Sequence, residues 1–133
     1  MGIINSFKSM VGSGAPEVKV VLKNTESPVG GFVKGIVTII GGDYETKIDE
    51  LDLYLLRKED LKDKKETKES SIKLGCMSYN DYNLLPKEEI AIPFQVEIPR
   101  NALLSSQAMT NFIKVSLDIS GKDAFGVTEV KIV

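Results

Sequence analysis

Histidine and tryptophan are absent from this chain of 133 residues, and cysteine occurs only once. Without histidine, the chain cannot form a Ser–His or Cys–His nucleophile pair, and it has no imidazole ligand for a metal ion. The single cysteine, Cys76, excludes an internal disulfide and a zinc site built from thiolates. These absences leave a pair of carboxylates as a catalytic arrangement still open to the chain, but no motif indicates one, so we predict no catalytic residues, no metal site and no cofactor.

An excess of charge of one sign is also missing. The chain carries 17 basic and 19 acidic residues, which gives a net charge of −2. Proteins that bind nucleic acid normally carry a basic patch or stripe, so we expect no nucleic-acid partner. No apolar run approaches the roughly 20 residues that span a bilayer, and the N-terminus lacks the basic region and long apolar core of a signal peptide. We expect a cytoplasmic protein.

What the chain does contain is a repeated two-residue hydrophobic period. Such a period places alternate side chains on opposite faces of a β-strand, one face buried and one wet. The alternating stretches, separated by turns rich in glycine, proline, asparagine and aspartate, lie at about 17–23, 32–40, 45–57, 71–77, 88–99, 112–120 and 127–133. We predict an all-β, immunoglobulin-like antiparallel β-sandwich of seven to eight strands, preceded by one short helix.

The most informative stretch is EEIAIPFQVEIP, residues 88–99, in which isoleucine, phenylalanine and valine occupy every second position. Pro93 lies in the middle and has no N–H group for a ladder hydrogen bond, which favours an edge strand or a bulge. Edges of sheets are where partner chains can pair. The candidate interaction edge, for an unidentified protein partner, consists of the residues on the wet face: Glu89, Ala91, Pro93, Gln95 and Glu97.

The N-terminal residues follow a different period. Apolar side chains recur at helical spacing, which predicts a short amphipathic helix within residues 1–14 and a single sandwich domain over 15–133. The apolar stripe, which is the candidate surface for a membrane or a partner, consists of Ile3, Ile4, Phe7, Met10 and Val11. Lys8 is the only cationic side chain of the predicted helix, so a membrane role has weak electrostatic support.

The remaining motifs favour structural interpretations. Cys76 alternates with Ile72 and Leu74, which predicts a small buried residue rather than a reactive thiol. Glu50 and Asp52 share the solvent face of a strand. Residues 58–70 are nearly all charged, which favours a solvated hairpin tip over an electrostatic docking loop. Residues 78–87 are interpreted as a connection, and residues 100–110 as a polar crossover with one helical turn.

Two stretches together resemble a known family. Residues 15–56 combine a Lys-Val strand, a Pro/Gly turn, a strand with Gly35 inside it, a Gly-Gly turn and an Ile-x-x-Leu-x-Leu strand. Residues 92–99, IPFQVEIP, are similar to a Pro-Phe-x-Phe-x-Ile-Pro strand. The chain thus resembles an arrestin-like sandwich, most closely the N-terminal domain of the bacterial sporulation-control (SpoOM-type) family.

This resemblance implies a scaffold or regulator without enzymatic activity that acts through protein contacts, in the control of sporulation or in stress signalling. Such proteins usually continue into a second sandwich, whereas this sequence covers one. Two other functions stay open. The first is a membrane-associated adaptor that uses the N-terminal helix. The second is a sandwich that binds a small ligand or a carbohydrate, although an aromatic content of 7% without tryptophan is poor for a sugar site.

Overall fold

The computed structural model describes residues 8–10, 14–61, 66–119 and 123–133, with the backbone alone for 8–10 and 80–81. These residues form nine strands and no helix, so they contain no helix that could cross a membrane. The strands are β1 (Lys8–Met10), β2 (Glu17–Leu22), β3 (Glu26–Ser27), β4 (Phe32–Ile40), β5 (Thr46–Leu61), β6 (Glu66–Leu84), β7 (Glu89–Glu97), β8 (Met109–Ile119) and β9 (Ala124–Ile132).

The strands form two sheets. The larger sheet has the order β1-β9-β8-β5-β6, and β3 pairs with the end of β9. The smaller sheet has the order β2-β4-β7. Every pairing is antiparallel except that of β3 with β9. The prediction of an all-β, antiparallel fold is confirmed, and the two strands that the sequence did not indicate, β1 and β3, are the shortest.

One hydrophobic core lies between the two sheets. Alternate residues of β4 and β8 are buried, as the two-residue period predicts; Val33 and Val37 on the smaller sheet and Ile113 and Leu117 on the larger sheet are completely buried. A single cluster of buried side chains includes residues of both sheets. Two sheets that share one core in this way have the arrangement of a β-sandwich.

Two irregularities change which residues of the β5–β6 hairpin face the core. The pairing of β5 with β8 shifts between Ile48 and Glu50, so Ile48 and Leu51 are both buried although they are three residues apart. The pairing of β5 with β6 shifts again opposite Leu53, where Leu74 is the extra residue. A bulge inserts one residue and reverses the phase of the alternation beyond it.

The N-terminal helix prediction is wrong where the structure describes this segment. Residues 8–10 form β1 and pair with Phe125–Val127 of β9, so a helix cannot continue through Met10. An exposed strand edge offers main-chain hydrogen bonds that a short isolated helix cannot match, because helices of this length are marginal alone. The other residues of the predicted stripe, Ile3, Ile4, Phe7 and Val11, lie outside the described residues.

Two predicted connections also differ from the structure. Residues 78–84 belong to β6, which is 19 residues long, so the turn into β7 is confined to 85–88. The described part of the segment between β7 and β8 contains no helix; it has a hydrogen-bonded turn in which the Ala102 N–H donates to the Pro99 carbonyl at 3.0 Å. The charged segment 58–70 does form a hairpin end, and its two strands stay paired out to Leu61 and Glu66.

Asn111 stabilises the β7–β8 connection by hydrogen bonds. Its side chain points into the core from β8 and is 1% exposed. The Asn111 Nδ2 group donates to the Leu103 carbonyl at 3.1 Å and to the Ser105 hydroxyl at 3.0 Å. Ser105 in turn bonds the main chain of Ile132 in both directions. This one buried amide therefore ties the connection to β8 and β9.

Candidate functional site on the smaller sheet

The open edge of the smaller sheet is formed by β7. This strand pairs with β4 on one side, and no described strand pairs with its other side. The Ile98 N–H donates to Gly31, and the Glu88 carbonyl accepts from Gly41, so the even-numbered residues direct their main-chain groups towards β4. The odd-numbered residues, including Pro93, direct theirs outward. The N–H that proline lacks is therefore one that the β4–β7 ladder does not use.

The structure brings the five residues of the predicted edge to one surface. Within β7, Phe94 and Val96 are buried, and Ile90 and Ile92 pack against the core from partly exposed positions. The residues between them are exposed, as the period predicts: Glu89, Ala91, Pro93, Gln95 and Glu97. Their contact with a partner stays a prediction.

A row of apolar side chains crosses the outer face of the smaller sheet from this edge. The register pairs Val21 with Ile36, and Ile36 with Pro93, so the three residues lie side by side on β2, β4 and β7. Val21 is 46% exposed. We call this surface, together with the open edge, the smaller-sheet face.

Two lysines lie next to the apolar row. Lys34 is paired with Gln95, and the Lys23 N–H donates to the Lys34 carbonyl at 2.8 Å. Both lysines are exposed, and neither takes part in an ion pair found among the described residues. With Pro93 and Gln95 they border a shallow depression of about 330 Å³. The smaller-sheet face thus combines an apolar row with unneutralised positive charge.

Gly35 allows β7 to approach β4 at this place. A Cβ atom there would stand 2.8 Å from the ring of Phe94 and 2.6 Å from the carbonyl oxygen of Val21. A glycine inside a strand commonly marks either a bulge or a close backbone approach, and at Gly35 the structure shows the close approach. Sequence reasoning did not single out Val21 and Ile36. The sequence feature that could have indicated them is that both are β-branched apolar residues at positions that the alternation assigns to solvent.

The turn that leads into the open edge is organised by Glu88. Its Oε2 atom accepts from the Tyr82 hydroxyl at 2.5 Å, and its Oε1 atom accepts from the Leu85 N–H at 2.8 Å. These two hydrogen bonds, the one from Tyr82 first, lower the pKa of Glu88 below its ordinary value of 4.5. The same contact raises the pKa of Tyr82. Lys87 adopts a positive φ of 63° in this turn, and its ammonium group pairs with Asp43 at 2.9 Å.

A second group of polar side chains lies on the outer face of the larger sheet. Potential ligand atoms of Glu50, Asp52 and Cys76 lie within 4.8 Å of one another. The bulge at Leu74 also brings Lys73 to this face, where its Nζ atom is 3.2 Å from Asp52 Oδ1 and 4.0 Å from Glu50 Oε2. Asp52 Oδ1 has no hydrogen-bond partner among the described residues, so its contact with Lys73 is an ion pair.

The electrostatics of this group disfavour a metal ion. A hydrogen bond shared with Asp52, and repulsion from the Asp52 charge, raise the pKa of Glu50. Contact with the same carboxylate raises the pKa of Lys73, so its ammonium form is stabilised. The Lys73 ammonium thus neutralises part of the carboxylate charge that would attract a metal ion. Glu50 and Asp52 both lie on the outer face, as predicted, but the Asp52 side chain is only 14% exposed and its Oδ1 atom is buried.

The prediction of a buried Cys76 is wrong. Cys76 is exposed and pairs with Asp52 on the outer face. Leu74 packs against the core, but the bulge at this residue ends the alternation on which the prediction depended, and Ile72 is 41% exposed.

Two sheets around one apolar core define a β-sandwich, and no strand within the described ranges covers the outer edge of β7. A family model described as SpoOM protein matches residues 4–125, so the chain belongs to the SpoOM protein family. The resemblance to this family that the sequence indicates is confirmed.

The fold is similar to that in a crystal structure of Spo0M, sporulation control protein, from Bacillus subtilis. The two share 21% sequence identity and a TM-score of 0.73 over 90% of this chain and 49% of that chain. At this identity the similarity shows a common fold. The chain spans about half the length of the Bacillus subtilis protein. No curated protein matches the chain in sequence.

Proposed function

We propose that this chain is a cytoplasmic regulatory protein without enzymatic activity, which takes part in the control of sporulation by binding a protein partner. The observation that carries this proposal is the family match over residues 4–125. The similar Bacillus subtilis structure is that of a sporulation control protein, which is consistent with the same process. The finer fold assignment, an arrestin-like sandwich, is part of the proposal and is supported by the resemblance of residues 15–56 and 92–99.

The smaller-sheet face is the surface that we assign to the partner. An added strand would gain main-chain hydrogen bonds at the open edge of β7. Pro93 offers the added strand no N–H donor. The strand would therefore form most of its main-chain hydrogen bonds on one side of the proline, along Gln95–Glu97. Side-chain contacts with Val21 and Ile36 then supply the apolar part of the interface.

The charges of this face select the partner. Lys23 and Lys34 lie beside the apolar row, and their positive charges favour a partner segment that carries acidic side chains. The carboxylate of Glu97, at the end of the open edge, repels acidic side chains and so limits how far an acidic segment can extend along β7. We therefore expect an apolar segment with carboxylates near Lys34.

A pair of matched substitutions tests the proposal in the native cell. Val21→Asp places a carboxylate in the apolar row, and Ile72→Asp places one at a position of similar exposure, 41% against 46%, on the larger sheet. In a strain that lacks the chromosomal gene, the Val21→Asp variant should lower the spore frequency and lose partners captured with the wild-type chain. The Ile72→Asp variant should behave as the wild type.

The two parts of the proposal fail in different ways. If the strain without the gene forms spores at the wild-type frequency, the role in sporulation is wrong. If the Val21→Asp variant keeps both its captured partners and its spore frequency while the gene is required, the regulatory role stands and the smaller-sheet face is the wrong surface.

A further inference from the structure

A groove of about 430 Å³ lies on the outer face of the larger sheet, between β5, β8 and β9. Leu56 and Val127 form its floor and are only 6% and 8% exposed, although both lie on the side of the sheet away from the core. Phe112 and Phe125 also line it, and Lys58 and Lys114 lie at its rim. We call this the outer-face groove.

The groove is apolar at positions where the strand period calls for polar residues. On β8, Ile113 and Val115 face the core, so Phe112 and Lys114 face outward. The Lys114 ammonium lies 4.8 Å from the centroid of the Phe125 ring, and that of Lys58 lies 5.4 Å from the centroid of the Phe112 ring. The apolar stems of the lysines border the floor while their charges stay in water. A concave, mostly apolar groove of about 430 Å³ has the size and lining of a binding site.

The path of the chain identifies an occupant for this groove. In the register of β1 with β9, Lys8 is opposite Val127, a floor residue, so the chain that precedes Lys8 reaches the sheet at the border of the groove. That preceding segment, residues 2–7, has the sequence GIINSF, with three large apolar residues and no charged side chain. It lies outside the described residues.

The length of this segment matches the distance to be covered. β5 lies three positions from β1 in the sheet order, or about 14 Å at the usual strand spacing. Six residues reach about 20 Å when extended and about 9 Å as a helix. The extended form therefore spans the whole groove, whereas a helix reaches Val127 on β9 but not Leu56 on β5.

We propose that residues 2–7 of the chain bind in the outer-face groove, with Phe7 next to Val127 and the isoleucines further towards Phe112. The rim carries both lysines and acidic residues, so it does not favour a strongly charged peptide, and an uncharged apolar segment fits it. The segment is also tethered within a residue of the groove, which gives it a higher effective concentration than a separate partner.

The absence of tryptophan from the chain provides a direct probe. In the full-length F7W variant, the indole at position 7 should show blue-shifted emission and weak quenching by acrylamide. A second substitution in the groove, F112S, should shift the emission to the red and raise the quenching constant several-fold. The matched control is F32S, since Phe32 is 52% exposed on the outer face of the smaller sheet; it should change neither signal.

The milder substitution F112L keeps the test valid if F112S does not fold. It shortens the groove wall without adding a polar group, and it should give an intermediate emission maximum while the far-ultraviolet circular dichroism stays that of the wild type. Equal emission and equal quenching in F7W and in its F112L and F112S derivatives would overturn the proposal.

Two other occupants are separate outcomes of the same measurement. If the blue shift grows with protein concentration, the segment binds a second copy of the chain. If the indole is exposed in buffer and becomes buried only when vesicles with anionic lipid are added, the segment binds a membrane. Either result would overturn binding within one chain. Neither outcome bears on the smaller-sheet face, which lies on the other sheet.

Discussion

A Cβ atom on Gly126 would stand 2.6 Å from the carbonyl oxygen of Val18. Gly126 lies in β9 of the larger sheet and Val18 in β2 of the smaller one, so the backbones of the two sheets meet along this side of the sandwich. The described part of β7 shows no such contact with a strand beyond its open edge. The sandwich is therefore closed by backbone contact at β2 and open at β7.

The first prediction concerns this contact. Gly126→Ala should lower the free energy of unfolding by about 1–3 kcal/mol, because the added methyl group meets main-chain atoms that cannot rotate away. Urea unfolding followed by circular dichroism measures the change. The control is Gly75→Ala, where an added methyl group meets nothing within 4 Å. Equal midpoints for the two variants would show that β2 and β9 are further apart than the structure places them.

The second prediction concerns the buried amide of Asn111. Asn111→Ala leaves the Leu103 carbonyl without its side-chain donor, so we expect a loss of about 1–3 kcal/mol in the free energy of unfolding. Amide hydrogen exchange at Ser105 and Ile132 should accelerate more than in the centre of β8. Asn101→Ala, in the exposed part of the same connection, should change neither measurement. Uniform acceleration throughout the sheet would contradict the local role of Asn111.

The third prediction is the pH dependence of the turn at Glu88. The hydrogen bonds from Tyr82 and Leu85 lower the pKa of Glu88 in the folded chain below 4.5. A lowered pKa contributes stability that is fully present above the unfolded pKa and is lost as the pH falls through the folded pKa. The wild type should therefore be more stable than Glu88→Gln at neutral pH, and this difference should shrink below pH 4.5.

Tyrosine substitutions provide the controls for this pH profile. Tyr82→Phe removes the main hydrogen bond to Glu88 and should reduce the difference between the wild type and Glu88→Gln. Tyr44→Phe, at a side chain that is 70% exposed, should keep the wild-type profile. If the stability difference between the wild type and Glu88→Gln grows as the pH falls, the pKa of Glu88 is not lowered in the folded chain.

The fourth prediction concerns Glu50, whose pKa is raised from 4.5 by Asp52. A raised pKa contributes stability that is present below the unfolded pKa and is lost as the pH rises through the folded pKa. At neutral pH the ionised Glu50 therefore opposes folding, and Glu50→Gln should be at least as stable as the wild type. Lys73→Met should be less stable, since it removes the cation beside Asp52. Thermal unfolding at neutral pH measures the change in stability of each variant relative to the wild type. Glu45→Gln is the surface control.

Part of the candidate site was predictable from the sequence. The alternation in 89–97 predicts which residues of β7 are exposed, and a proline in that strand predicts an edge, because both depend on local backbone geometry. Gly35 is a further local signal of close approach. In contrast, the row formed by Val21, Ile36 and Pro93 exists only through the register of three strands, two of which are more than 50 residues apart along the chain.

The two wrong predictions, for Cys76 and for the helix through Met10, have the same physical origin. The alternation around Cys76 predicts a buried thiol, but a bulge at Leu74 reverses the phase, and the bulge depends on pairing with β5. The apolar spacing around Met10 predicts a helix, but β9 offers a strand edge at that place. In both cases a partner strand, distant in the sequence, decides the conformation.

The amino-acid sequence by itself determined the all-β class, the strands built on the two-residue period, the family and the exposed residues of β7, because each of these depends on the order of side chains along one segment. Only the tertiary structure decided which edges stay open, where the bulges fall, and which exposed residues share a face. These properties depend on the pairing of separate segments, and the free energy of that pairing comes from the shared core and not from any one strand.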